Sequence, residues 1–426
     1  YAILHFTMPI LGDSIIALRI PSVFLGTAIL PIIYWSVRKA SFNHRTGLYA
    51  TLLAAVSSPL IYYAQEARAY ALLAFLGALS VFLLFICLLN PGLVFRLAYF
   101  LTLLALAYTH RYAYFLLAAQ AGCALFYRKW NTFLVQILAG IWIASQFLLD
   151  LHNQSFSVGP SGGKTDFPAM ISLLNTLTTG TLGMQNIQRM PNAFMLSFPE
   201  PHINQLLPWL AALLYIGVIL IGVREARNYT QAQRQFICVL GFCIVLPILL
   251  ALLAGSPISP YPQWLLRGLI STWVFLALLT AVAIARSPHG IFLIGAVILI
   301  QGCALYAYYQ NYTRFEDRAA FTQLNKHTTD EDLVISDPRY MAYFIDYYYE
   351  GPAPMIGFDQ DKGWLDVETM GKVNRAILIP LDQIPSPRDK IYVYFRKNEL
   401  AWRSSFPDNP VYIYDPILQS WTEYEP

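Results

Sequence analysis

Ten apolar runs separated by short polar breaks fill the first three quarters of this 426-residue chain, at roughly 14–37, 47–63, 69–89, 93–109, 112–127, 131–149, 206–223, 236–254, 264–285 and 290–309. A helix rises 1.5 Å per residue, so a bilayer core of about 30 Å takes about 20 apolar residues, fewer where protein packs around the span. The runs have that length, several near its lower limit. Turn and breaker residues such as Asn90-Pro91-Gly92 and Ser287-Pro288-His289-Gly290 divide them. The pattern predicts a mainly α, polytopic membrane bundle of about ten spans over residues 1–310.

Charge divides the chain at the same place. Overall 12% of residues are charged, about half the share usual in a soluble domain. Before Asn311 there are sixteen Lys/Arg and six acids, leaving twelve and nineteen after it, for formal charges of +10 and −7. The net +3 therefore averages a lipid-solvated part and a water-solvated part, and no nucleic-acid partner is needed to account for it. The five cysteines (Cys87, Cys123, Cys238, Cys243, Cys303) all lie in apolar runs. They read as small buried hydrophobes, ahead of a disulfide framework or a metal site.

Alternate breaks carry Arg38, Lys39 and Arg45; Arg96; Arg128 and Lys129; Arg224, Arg227 and Arg234; and Arg286, ten bases against the one acid Glu225. That excess marks the cytoplasmic side. The intervening breaks are nearly balanced, so residue 1 and the tail both fall outside the cytoplasm. The longest outer loop, 150–205, holds Ser161-Gly162-Gly163-Lys164 and an apolar stretch, Phe167 to Leu182. That stretch could lie along the membrane surface as an amphipathic helix or pack as an ordinary loop. Lys164 lacks the spacing of a P-loop. In the tail, 311–426, helix-like segments at Arg314–Lys326 and Pro338–Tyr349 alternate with strand-like runs at 332–336, 376–379 and 391–395. This predicts a small soluble α/β domain. The chain opens at Tyr1 within the pattern, without initiator or signal sequence, so residues upstream are expected.

The stretch richest in chemistry is Tyr62-Tyr63-Ala64-Gln65-Glu66-Ala67-Arg68-Ala69-Tyr70, between two spans on the outer side. There a carboxylate could hold a divalent cation or orient a nucleophile, and a guanidinium could grip a phosphate through two hydrogen bonds. Ionisable groups at membrane depth are costly and by default suggest function. The bland alternative is that Glu66 and Arg68 end two helices in the headgroup zone, partly paired.

This stretch resembles the outer-loop signature of the GT-C glycosyltransferases, in particular the bacterial protein-mannosyltransferase-like and aminoarabinose-transferase-like family (glycosyltransferase family 39-like). Leu4-His5, Gly12-Asp13-Ser14 and Ala17-Leu18-Arg19-Ile20-Pro21-Ser22 resemble the start of that family's second helix, and Tyr108-Thr109-His110 resembles another outer helix end. The Phe315–Ala320 segment resembles the start of its outer C-terminal domain. The resemblance implies transfer of a sugar from a polyprenyl-phosphate donor to a lipid, glycan or protein acceptor at the outer face of a bacterial inner membrane, by inverting displacement. It implies Glu66 as a second acidic residue, suited to a divalent cation (Mg or Mn) or to tuning the phosphate. The principal base is expected upstream of this chain. Tyr63, Gln65, Arg68, His110, Arg111 and Arg267 are the implied substrate-binding residues, with Lys164 a further cationic candidate.

Two departures stand out. Arg111 occupies a place where members often carry an aromatic, and Gly268 replaces the tyrosine of an Arg-Tyr-Leu element at Arg267. Each candidate also has a structural reading: His110 as a hydrogen-bonded helix-end residue, Arg267 as a snorkelling interfacial arginine, the tyrosine pairs as interfacial anchors. A transporter or lipid flippase is the alternative function; it expects ionisable groups or broken helices near the bilayer midplane. The charged residues here sit at helix ends.

Overall fold

A computed structural model describes residues 2–12, 14–89, 92–152, 213–218, 220–222, 224–254, 266–311, 317–336, 349–358, 377–379, 391–394, 410–415 and 420–423. The chain splits into two compact units, Tyr1–Phe156 with Pro160–Tyr312, and Ser157–Gly159 with Thr313–Pro426. Lys164, the stretch 167–182 and the helix expected at 338–348 lie outside the described residues.

The first unit is helical. Its elements are α1 (Ala2–Leu11), α2 (Ile15–Lys39), α3 (His44–Ala55), α4 (Ser58–Ala64), α5 (Tyr70–Leu88), α6 (Leu93–Thr109), α7 (Ala113–Phe126) and α8 (Trp130–His152). After residues 153–212 come α9 (Leu213–Gly222), α10 (Gln231–Ala254), α11 (Ile270–Arg286) and α12 (Gly290–Asn311). Among the described residues α5, α10 and Ile16–Lys39 of α2 are each long and apolar enough to cross a membrane, and α3 with α4 is a bent pair with the length and composition of a broken span or a re-entrant loop. Six shorter apolar helices accompany them, in α6, α7, α8, α9, α11 and α12. With large apolar side chains such as Phe24, Trp35, Leu93, Phe126 and Phe292 exposed on the helix surfaces, the chain is an integral membrane protein.

Local chemistry sets the helix ends. Ser14 Oγ accepts from Ala17 N–H at 3.2 Å and Asn43 Oδ1 from Thr46 N–H at 2.8 Å, each satisfying an orphan donor of a first turn. The sequence pattern departs from the structure in three places. Ala2–Leu11 forms a helix outside the ten runs. The last of the ten but one begins with a 3-10 turn at Leu266–Leu269, so its α-helix starts at Ile270. Most consequential, the run 47–63 is two helices meeting at 59°. Pro59, at the first turn of α4, lacks an N–H and disfavours helical backbone in the residue before it. The freed Ser58 N–H and the Ser58 hydroxyl both donate to Gln301 Oε1 of α12 at 3.4 Å.

Deep in the bundle a directional hydrogen-bond chain ties four helices. Gln136 Nε2 (α8) donates to Tyr99 Oη (α6) at 2.8 Å, and Tyr99 donates to Gln120 Oε1 (α7) at 2.7 Å. Gln120 Nε2 then donates to Ser80 Oγ (α5) at 2.9 Å, and Ser80 to the Gly77 carbonyl at 2.9 Å. Tyr99, Ser80 and Gln120 are fully buried. In an apolar medium, interhelical bonds of this kind supply specificity that apolar packing alone does not. All five cysteines are free thiols, three buried and two half-buried.

The second unit contains α13 (Asp317–His327) and a six-stranded sheet of order β3-β2-β1-β4-β5-β6. The strands are β1 (Leu333–Ser336), β2 (Met355–Phe358), β3 (Ile377–Ile379), β4 (Ile391–Tyr394), β5 (Val411–Asp415) and β6 (Ser420–Glu423). All pairings are parallel except β5 with β6. Leu333, Val334 and Ile335 are buried together, as expected of a central strand covered on both faces. Asp332 Oδ2 accepts from Thr329 N–H at 2.7 Å and from its hydroxyl at 3.0 Å, fixing the turn from α13 into β1. Tyr349 Oη receives the Ala353 N–H at 2.9 Å and shares a hydrogen bond of 3.0 Å with Thr328 Oγ1. Burial pushes the Tyr349 hydroxyl above its usual pKa, against the opposing pull of those two hydrogen bonds.

Candidate functional site

The helix ends of the first unit fall into two groups. At one, Gln233 Nε2 of α10 donates to the Ser41 carbonyl at 2.9 Å, Arg286 lies over the Tyr229 ring at 5.2 Å, and Phe42 meets Tyr229 edge-on at 5.8 Å. These contacts gather three of the breaks rich in Lys and Arg. Three of the breaks without that excess, at 65–69, 109–112 and 266–269, meet at the other group, and the candidate residues are there.

The turn Gln65–Ala69 joins α4 to α5 and carries Glu66 and Arg68. Its position is fixed from both sides. Before it, Gly26 of α2 lets α4 approach closely: a Cβ on Gly26 would come within 2.6 Å of Ala64 Cβ. After α4, Gln65 Nε2 donates to Tyr309 Oη of α12 at 2.9 Å. Glu66 is half-buried and Arg68 exposed. Neither side chain has a hydrogen-bond or ion-pair partner among the described residues. The reading in which these two charges partly pair with one another is therefore not what the structure shows.

A line of rings connects this turn to the α6–α7 turn. Tyr63 packs on Tyr62 and on Tyr70, each at a centroid distance of 4.9 Å. Tyr70 meets His110 at 5.8 Å, His110 meets Tyr112 at 5.7 Å, and Tyr112 meets Phe115 at 5.0 Å. Tyr63, Tyr70 and Tyr112 are buried, so the line is a packed wall that places the two polar turns side by side. His110 Nδ1 accepts the Tyr112 N–H at 3.1 Å. A ring nitrogen that accepts cannot carry the proton, so the neutral imidazole has its proton on Nε2. The structural reading of His110 as a helix-end hydrogen-bonding residue is thus correct, and it also fixes which nitrogen can donate away from the backbone.

Arg111 is exposed beside this wall. Arg267 belongs to the 3-10 turn before α11, and its side chain lies outside the described residues. Its neighbour Gly268 is buried against Tyr112, where a Cβ would overlap the root of the tyrosine ring. Three interhelix turns, 65–69, 109–112 and 266–269, therefore converge. They bring together Tyr63, Gln65, Glu66, Arg68, His110, Arg111 and the backbone of Arg267.

Three residues of this convergence escape the sequence: Tyr112, Gly268 and Tyr309. The only signal for Tyr112 is its place after Arg111, and Gly268 stands out only as a departure from the resembled pattern. As a metal site the described residues are incomplete. Glu66 offers one carboxylate, and no three His, Cys, Asp or Glu side chains are grouped among the described residues. No catalytic step is assigned to a metal.

The architecture is that of a membrane-embedded helix bundle joined to a mixed-sheet unit, with polar turns gathered at one group of helix ends. Neither a family model nor a curated protein matches the sequence. Solved structures do match in fold, among them two crystal structures of one protein. One is the crystal structure of ArnT from Cupriavidus metallidurans in the apo state: TM-score 0.52, 10% identity, 86% of this chain and 75% of that chain covered. The other is the same protein bound to undecaprenyl phosphate: TM-score 0.53, 12% identity, 88% and 78% covered. At that identity the likeness is one of fold.

Proposed function

We propose that the chain is a GT-C-type glycosyltransferase that moves a sugar from a polyprenyl-phosphate donor to an acceptor on the non-cytoplasmic face of a bacterial inner membrane. The observation that carries the reading is the convergence of the 65–69 and 109–112 turns through the Tyr63–Tyr70–His110–Tyr112 line. It gathers two exposed guanidiniums, a carboxylate and an imidazole N–H at one place on a membrane protein. The fold shared with ArnT, which has been crystallised with undecaprenyl phosphate, supports a lipid-phosphate carrier as donor.

Transfer by inverting displacement breaks the bond between the sugar's anomeric carbon and the phosphate oxygen as the acceptor's oxygen attacks from the other face. Negative charge grows on the departing phosphate. Arg68 and Arg111 neutralise it, and each guanidinium can present two parallel N–H donors to phosphate oxygens. His110 Nε2–H adds a neutral donor. Glu66 tunes the position of that phosphate or contributes one oxygen to a divalent cation of the Mg or Mn kind. No residue of this chain is assigned as the general base. Removing one pre-positioned donor to a developing oxyanion costs about 10²–10³ in rate.

The tail, 311–426, is read as a small α/β domain on the same side of the membrane, which fits the recognition of an acceptor. A transporter reading also expects a broken helix, and α3–α4 is one. The break is bordered by Ser57, Ser58 and Gln301, none ionisable, and α4 is only seven residues long. Its seven residues rise about 10 Å, so depth does not separate the two readings; the lack of ionisable groups at the break is what favours the enzyme.

The test uses purified protein with radiolabelled polyprenyl-phosphate sugars, following label into lipid, glycan and protein fractions, with and without a chelator. Glu66→Gln and Arg68→Ala are expected to lose transfer by about 10²-fold or more while inserting normally. Wild-type turnover in both variants would remove the site assignment.

A further inference from the structure

The far ends of α2 and α5 frame a groove that the candidate site does not use. Pro31, Ile32, Trp35, Arg38 and Lys39 of α2 and Phe82 of α5 line a volume of about 470 Å³, within the range of small-molecule sites. Phe82 lies twelve residues along α5 from Tyr70, about 18 Å at the helical rise. The groove and the 65–69 turn are therefore at different depths of the bundle.

Its chemistry is split between floor and rim. Ile32, Pro31 and Phe82 are apolar, and Trp35 is 61% exposed, presenting an indole where ring systems favour the membrane boundary. The rim is cationic. Arg38 and Lys39 form the last turn of α2. Arg38 donates one N–H to the Phe42 carbonyl at 2.8 Å, which anchors the guanidinium and leaves its other donors available. Lys39 has no hydrogen-bond or ion-pair partner among the described residues. There is no Asp or Glu between Ser14 and Gln65, and none in α5, so neither helix that lines the groove supplies a counter-ion. Two adjacent cations with no carboxylate on either lining helix, above an apolar cleft at a span's end, match an anion that carries hydrocarbon.

We propose that this groove binds an anionic glycerophospholipid, with its phosphodiester between Arg38 and Lys39 and one acyl chain along Ile32, Trp35 and Phe82. A bound lipid there neutralises the end of α2 and joins it to α5 on the face away from the candidate site. Each basic residue near an anionic headgroup is worth about a five-fold change in affinity.

The experiment is native mass spectrometry of the full chain in a neutral detergent. The protein is titrated with phosphatidylglycerol and, in parallel, with phosphatidylcholine of the same acyl chains. Wild type is expected to take up phosphatidylglycerol well ahead of phosphatidylcholine. Lys39→Gln preserves the Arg38–Phe42 bond, so it keeps the loop intact, and is expected to lower phosphatidylglycerol occupancy about five-fold. Arg38→Gln combined with Lys39→Gln is expected to lower it about 25-fold, with phosphatidylcholine unchanged in both variants. Equal uptake of the two lipids by wild type, or undiminished phosphatidylglycerol in Lys39→Gln, overturns the proposal. So does a Lys39-dependent gain for a polyprenyl phosphate with none for phosphatidylglycerol.

Discussion

Replacing Gly268 by alanine tests whether the turns converge as described. The backbone of Gly268 is outside the left-handed region, so alanine meets no dihedral strain there. On backbone grounds alone the change stabilises by about 0.4–1 kcal/mol, through a less flexible unfolded chain. The objection is steric. The new Cβ would lie 2.6 Å from Tyr112 Cδ1 and 2.9 Å from Tyr112 Cβ, and closer still to Cγ. These are the root of the ring, not a flexible tip, and Tyr112 is held by its own N–H on His110 and by Phe115. Overpacking of this kind costs about 1–3 kcal/mol, so the net loss is about 0–2.6 kcal/mol. Removing the ring with Tyr112→Ala leaves only the 2.9 Å Cβ contact, and Gly268→Ala then costs less. A double-mutant cycle on thermal inactivation of the purified protein should return a coupling of about 1–2 kcal/mol. Sugar transfer provides a second readout. Tyr112 shifted by an ångström carries His110 with it, and a displacement of that size costs about 10²-fold in rate. Equal cost of Gly268→Ala in both backgrounds, or a stabilised single variant, would refute the convergence.

Two more predictions concern the interiors of the units. Tyr99→Phe leaves Gln120 Oε1 and Gln136 Nε2 without their shared hydroxyl. It should destabilise the helical unit by about 1–2 kcal/mol, read as a lower inactivation temperature in detergent; an unchanged temperature would mean the chain of hydrogen bonds is not formed. In the sheet unit, Tyr349 keeps its proton above the pH at which an unfolded tyrosine loses it, near 10. Its contribution is therefore complete below pH 10 and is lost as pH rises from there through the folded value. Tyr349→Phe should flatten the alkaline decline and, by stranding the Ala353 N–H, lower stability at neutral pH by about 1–3 kcal/mol. Urea unfolding of the full chain at pH 8 and 11, followed by amide exchange in the sheet unit, distinguishes these outcomes.

What could be read from the sequence is what depends on one stretch of chain at a time. The lengths of α2, α5 and α10 follow from their apolar runs, and the grouping of Phe42, Tyr229 and Arg286 away from Tyr63 and His110 follows from the alternation of Lys and Arg. The break between α3 and α4 is only half legible: Pro59 signals it locally. The run 47–63 is uniformly apolar apart from Thr51, Ser57 and Ser58, and what makes a break tolerable is Gln301, 243 residues further on. The sheet divides in the same way. β1, β3 and β4 are runs of Leu, Val, Ile and Tyr and announce themselves. β2 contains a glycine, and β6 is the polar Ser420-Trp421-Thr422-Glu423, a strand only because β5 lies antiparallel to it.

The candidate site shows the same limit from the opposite direction. Glu66 and Arg68 are visible because charge is rare in this part of the chain, but the partnership between them suggested by their spacing is absent. What holds the site together is aromatic, and aromatic residues are too common here, at 15% of the chain, for any one to stand out. Gly268 connects the two. By resemblance a tyrosine belongs beside Arg267, and its absence weakens the case for that arginine in the sequence. In the structure the space such a side chain would need is filled by Tyr112, which reaches across from the α6–α7 turn. The departure is then a relocation of ring volume from one turn to another, with the turn that carries Arg267 packed against the Tyr112 ring through Gly268. Restoring the resembled residue with Gly268→Tyr is therefore expected to destabilise the protein unless Tyr112 is made small at the same time.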